Sequence, residues 1–164
     1  MKKILTTIAA ATSAITMTAQ TLNVVVGNVT YAIPASQAGD MTYQNGESLT
    51  VMGKTIPTAS ITKMYVDNTN VTDNTVNVAY SNTTATVTVA GNIARYVDAE
   101  VSGAHVTITQ SNEVGDDTGE ITYSLTGSSS DGEFTMNRSY KAGIELRGLS
   151  LANPSGAPLN IQDG

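Results

Sequence analysis

Apolar and polar residues alternate along most of this chain with a period of two, the repeat of a half-buried β-strand. Leu22, Val24 and Val26 alternate up to Gly27-Asn28, and Val29, Tyr31 and Ile33 alternate after it. A tight glycine turn between two such runs predicts a β-hairpin. Met41 and Tyr43 then lead to the turn dipeptide Asn45-Gly46, Leu49 and Val51 lead to Gly53-Lys54, and Ile61, Met64 and Val66 lie in SITKMYVDN. The region from Gln20 to Thr75 is therefore predicted as a small antiparallel meander. The stretch DNTNVTDNT, residues 67–75, is almost devoid of apolar side chains and is expected to be a linker and domain boundary.

From Val76 onward the rhythm changes. Short runs recur at Val76–Tyr80, Ala85–Val89, Ala99–Val101, Val106–Thr109, Ile121–Leu125, Phe134–Met136, Ile144–Leu146, Leu149–Leu151 and Leu159–Ile161. Gly, Asn, Asp and Ser separate them, and Gly148 resets the phase between two of them. Strands with a loose repeat of about 20 residues fit a solenoid coil. A β-sandwich presents short strands and turns as well, so the pattern leaves both readings open. No window after residue 20 sustains a helical apolar repeat, and Thr, Val, Asn, Ser and Gly dominate; the fold class is all-β.

The first 19 residues, MKKILTTIAAATSAITMTA, stand apart. Two lysines precede an uncharged run that ends in Ala19, the layout of a secretory signal peptide with cleavage near Ala19-Gln20. The expected location is outside the cytoplasm: secreted, periplasmic or at the cell surface. Without Lys2 and Lys3, six basic residues face 14 acidic ones. So acidic a chain lacks the basic patch that nucleic acid requires. No later segment has the length and apolarity of a membrane span. With no cysteine, there is no disulfide, no thiolate metal site and no cysteine nucleophile, and stability has to come from packing.

Residues 120–127, EITYSLTG, followed by SDGEFTM (130–136), YKAGIEL (140–146), GLSL (148–151) and SGAPLNI (155–161), resemble a family of exported Bacteroidetes carbohydrate-binding domain-containing proteins. The likeness runs over residues 75–164, with a departure at Asn137-Arg138-Ser139, where the family more often has a glycine. The resemblance implies a right-handed parallel β-helix whose first coils occupy 76–164, and further coils in a longer protein. It also implies a non-catalytic glycan-associated role, with a polysaccharide as partner. A structural or adhesin-like solenoid without sugar affinity, and the front part of a polysaccharide lyase or hydrolase, are the alternatives.

Candidate chemistry is sparse. The single histidine, His105, begins a strand and has no serine or cysteine partner in any recognisable spacing, and GSSSDG (127–132) is not a nucleophile elbow. Asp98 and Glu100 fall on one strand face, and Glu113, Asp116, Asp117 and Glu120 cluster in NEVGDDTGE. Paired carboxylates could cleave glycosidic bonds and oxygen clusters could bind calcium, but this spacing is not that of a dedicated calcium loop. Calcium is a weak expectation; no cofactor is expected. Sugar recognition needs an aromatic face, and the chain has seven tyrosines, one phenylalanine and no tryptophan. Tyr31 and Tyr123 alternate with apolar neighbours and are expected in the core. Tyr96 and Tyr140 lie among loops and charges and are the candidate carbohydrate-binding residues. Four N-x-[ST] sequons, at Asn28, Asn70, Asn82 and Asn137, reflect the abundance of Asn and Thr.

Overall fold

The computed structural model describes residues 20–163; the expected signal peptide lies outside them. Fourteen strands run in chain order: β1 (Thr21–Val26), β2 (Val29–Pro34), β3 (Thr42–Gln44), β4 (Ser48–Val51), β5 (Lys54–Pro57), β6 (Ile61–Asp67), β7 (Thr75–Ser81), β8 (Thr84–Ala90), β9 (Val97–Ser102), β10 (His105–Gln110), β11 (Ile121–Ser129), β12 (Glu133–Arg138), β13 (Ala142–Leu151) and β14 (Leu159–Asp163). Short 3-10 turns at Ala35–Asp40, Thr58–Ser60 and Gly91–Tyr96 are the helical elements among the described residues. The protein is all-β, as alternation and composition predict.

The strands form three sheets. One has seven strands in the order β13-β11-β7-β8-β2-β1-β6, one has four in the order β14-β12-β10-β9, and β3-β4-β5 is a small meander. The predicted first hairpin forms: Val26 pairs with Val29 across Gly27, whose φ of +57° suits the tight turn. β6 returns antiparallel to β1 with a bulge at Val25/Val26.

Two features lie beyond the alternation pattern. First, β2 pairs in parallel with β8, Val29 opposite Val87 and Tyr31 opposite Val89. The two blocks read from the sequence therefore share one sheet, and residues 67–75 run from its margin at β6 to β7 in its interior. Second, the pairing after β8 becomes largely parallel. β7, β11 and β13 form one parallel ladder and β10, β12 and β14 another. From β10 onward the chain visits the two sheets in turn, so successive rungs stack, with one register shift between Thr126 and Ser128 where β11 meets β13. Gly148, expected to divide two strands, lies within the single strand β13.

The core lies between these ladders. Tyr123 and Leu125 from one sheet and Phe134, Met136 and Ile108 from the other are fully buried. The rings of Tyr123 and Phe134 meet tilted at 56°, with centroids 6.5 Å apart. Tyr80 ties the sheets together, its hydroxyl donating to the Glu133 carbonyl at 2.9 Å, and burial pushes its pKa upward. Leu49, Val51 and Ile56 of the small meander join the same buried cluster. Burial likewise pushes the Tyr123 phenol up to about 12, the adjacent Gln110 side chain opposing the rise, yet neither its hydroxyl nor Gln110 Nε2 makes a well-formed hydrogen bond among the described residues. An unpaired buried hydroxyl costs desolvation with no return. Tyr123→Phe is therefore expected to leave stability unchanged or raise it by up to about 1 kcal/mol, read from the urea midpoint.

Candidate functional site

Strand alternation gives the seven-stranded sheet two unlike faces. Val24, Tyr31, Ile33, Val78 and Val87 face the core, and their neighbours Asn23, Thr30, Ala32, Asn77 and Thr88 face the other way. The pairing brings these polar positions side by side. Asn23 stands opposite Ala32, Thr30 opposite Thr88, and Thr88 opposite Asn77. Across this face passes the polar segment from Asp67 to Thr75, as a strap.

Strap and sheet enclose an open groove of about 360 Å³. Thr30, Asn77 and Thr88 line its floor, Thr69, Asn70 and Thr72 come from the strap, and Tyr65 and Asp67 stand at the β6 end. The strap is anchored at its start. Thr21 donates its hydroxyl to the Thr69 carbonyl, and the Thr69 amide donates to Asp67 Oδ1 at 3.0 Å. That amide bond holds the Asp67 carboxyl below the ordinary carboxylate range; burial opposes it, and the Thr69 and Asn23 side chains add smaller lowering effects. Asn23 is only 4% exposed and sits beneath this end of the groove. The result is a concave surface of hydroxyls, carboxamides, one ionised carboxylate and one half-exposed aromatic ring, with Ala32, Val71 and Ala90 between them and no cation in the lining among the described residues. Beside it, Lys63 holds its Nζ 4.4 Å from the centroid of the Tyr65 ring.

The tyrosines singled out from the sequence lie elsewhere and apart from each other. Tyr96 ends the 3-10 turn Gly91–Tyr96 and borders a shallow hollow of about 400 Å³ with Asn74, Asn92, Arg95 and Asp117. The Arg95 guanidinium covers its ring at 4.3 Å. The amides there are already engaged: Asn92 Nδ2 donates to Asn74 Oδ1 at 2.6 Å, and Asn74 Nδ2 donates to the Thr118 carbonyl at 2.7 Å. Tyr140 borders a separate depression of about 210 Å³ with Arg138, Ser139 and Asp163. It gives its hydroxyl to Asp116, a bond that pushes its pKa upward. Tyr31 and Tyr123 are buried, in line with their alternation.

The carboxylates do not converge. Asp98 is ion-paired with Lys54 at 2.5 Å, Asp116 faces Tyr140, and Asp117 faces the Tyr96 hollow. No group of three or more His, Cys, Asp or Glu side chains is arranged to hold a metal ion among the described residues. His105 begins β10, with Nδ1 3.3 Å from Glu133 Oε2 and Nε2 3.5 Å from Asp131 Oδ1. Glu133 is held below its ordinary pKa, first by the Thr135 hydroxyl at 2.6 Å and then by His105 and Asn153. The imidazole thus bridges two acidic side chains at the rung boundary. No helix of the described residues is long and apolar enough to cross a membrane.

The strap groove was not legible as a site. Its signal was the row of Asn and Thr at outward strand positions, and only the pairing of β2 with β8 reveals that they meet. No family model matches the chain, and no curated protein or solved structure shows significant similarity to it.

Proposed function

We propose that this is an exported, non-catalytic carbohydrate-binding protein. In this reading the ladders of β10–β14 are the first rungs of a right-handed parallel β-helix, and the strap groove takes the glycan. The observation that carries the binding reading is the composition of the groove. A sugar offers hydroxyls that both donate and accept, and a pyranose also has an apolar C–H face. Carboxamides, hydroxyls and a carboxylate answer the first, and an aromatic ring such as Tyr65 answers the second. Asp67, ionised within the lining, repels a uronic acid there, and Lys63 over the Tyr65 ring is the opposing charge, so neutral sugars are tested first. The alternation of parallel strands between two sheets, with a single register shift between Thr126 and Ser128 in the β11–β13 ladder, supports the coil reading.

Affinity electrophoresis through neutral polysaccharide gels, with a glycan array to find the ligand, tests the reading. Tyr65→Ala and Asn77→Ala are each expected to weaken retardation about ten-fold, equivalent to about 1.4 kcal/mol. Tyr96→Ala and Tyr140→Ala should leave it unchanged. Failure of every polysaccharide to retard the protein sinks the proposal. The pH dependence follows from Asp67. Its pKa is lower in the folded chain than in the unfolded one, so its hold on the strap is fully present at neutral pH. That hold is lost as the pH falls below about 4. Binding is expected to be flat from neutral pH down to that point and to fall beneath it, and in Asp67→Asn the fall should vanish.

A further inference from the structure

We propose that the strap groove is one end of a longer track on the outer face of the seven-stranded sheet. Its ligand is an internal stretch of a polysaccharide chain, lying across the strands; this rests on the glycan reading of the groove and takes it further. The lining sets the direction. Tyr65 comes from β6, Asn23 from β1, Thr30 from β2, Thr88 from β8 and Asn77 from β7, five consecutive neighbours in the sheet. Each of these strands gives one or two residues to the lining, and two from the same strand are alternate positions on one face. Four inter-strand steps of about 4.8 Å make the groove about 19 Å long across the strands, against about 7 Å between alternate residues of one strand. A single sugar ring is far shorter than that, so the groove has room for several linked rings.

The row of polar positions continues past β7. Thr30 stands opposite Thr88, Thr88 opposite Asn77, Asn77 opposite Ser124 of β11, and Ser124 opposite Glu145 of β13. The last two steps add about 10 Å. Ser124, only 7% exposed, is the low point between the longer side chains of Asn77 and Glu145. Thr75, also in the lining, leads in the same way to Thr122 and Gly143. Glu120 Oε1 lies 2.9 Å from where a Cβ would stand at Gly143, so a second carboxylate borders the track at this end. In the coil reading the row follows the stacking direction, and each rung offers the ligand one position.

The chemistry of the row fits a chain of repeating hydroxyls. Asn77 and Ser124 each donate and accept, and Glu145, ion-paired with Arg147 at 2.6 Å, puts acceptors and donors side by side. An internal stretch of a polysaccharide presents hydroxyls at every ring, which successive strands meet one after another. The neighbouring row is poorer and marks the side of the track. There Ala79 stands opposite Thr126, and Thr126 already gives its hydroxyl to the Val78 carbonyl at 3.3 Å.

The test takes a neutral polysaccharide that retards the protein and measures, by titration calorimetry, the binding of soluble fragments cut from it. The hexasaccharide is expected to bind at least about ten-fold more tightly than the disaccharide. Glu145→Ala should weaken the hexasaccharide about five-fold and leave the disaccharide unchanged, with far-UV circular dichroism as the check that the chain still folds. Asn77→Ala, inside the groove, should weaken both. A disaccharide that binds as tightly as the hexasaccharide, or a Glu145→Ala variant that treats the two lengths alike, would overturn the track and leave the groove reading standing. Retardation by no polysaccharide would remove the groove reading itself, and the track with it.

Discussion

Alanine at position 127 is expected to cost the fold about 3 kcal/mol or more and to lower its thermal midpoint by about 10 °C. Gly127 lies inside β11 with φ +85°, a backbone region that L-residues enter at a cost of about 1–2 kcal/mol. The larger difficulty is space. A Cβ there would collide with the Tyr80 carbonyl oxygen and stand 3.0 Å from the Tyr80 carbonyl carbon and 3.1 Å from its nitrogen. Those are backbone atoms of β7, directly paired with Gly127. They cannot retreat without opening the β7–β11 ladder, which joins the first sheet to the first stacked rung. Gly148→Ala is the control. It also has a positive φ, +67°, but a Cβ there meets nothing within 4 Å, so only the backbone strain of about 1 kcal/mol should appear. Equal losses for the two variants in urea titrations would show that the close approach at Tyr80 is not what selects glycine.

Phe134→Ala is expected to cost about 3–5 kcal/mol. The ring is fully buried in the middle of β12, packs tilted against Tyr123, and sits in a column between Val106 of β10 and Leu159 of β14. Truncation removes its apolar area and leaves a void between two sheets whose ladders resist collapse. Leu159→Ala removes a side chain one rung further along the same column, where it is already partly solvated. A loss of only about 1 kcal/mol is expected there, in proportion to the smaller buried area. If Leu159→Ala proved as costly as Phe134→Ala, the gradient of burial from inner rung to margin would be refuted. Together the two substitutions test whether the core consists of stacked columns that fade toward β13 and β14.

The reasons some features were legible in the sequence and others were not are physical. Alternation reports which side chains face the core, so the first hairpin, the burial of Tyr31 and Tyr123 and most strands were readable. It carries no information about which strand lies beside which. The parallel β2–β8 pair was therefore invisible, and with it the union of the two blocks in one sheet. Gly148 misled for a related reason. A phase reset reads as the end of a strand, but here positive φ lets one strand change face and continue. The groove suffered most. Residues 67–75 have the composition of a linker, and nothing local distinguishes a strap from a free connection. Asn23, between Leu22 and Val24, occupies an outward position where alternation predicts a polar residue, so only its burial beneath the strap sets it apart. Tyr96 and Tyr140 were picked for their loop settings, and they line separate hollows apart from the strap groove.

The β2–β8 ladder also constrains the order of assembly. During synthesis the amino-terminal hairpin emerges early, but β2 keeps one row of amides and carbonyls unsatisfied until Val87 has been made and brought alongside Val29. Contacts so distant along the chain must wait for loop closure before they return any free energy. A nascent chain of this protein therefore carries an adhesive border through much of its elongation, and a translocation route that kept it extended until release would spare it from mispairing.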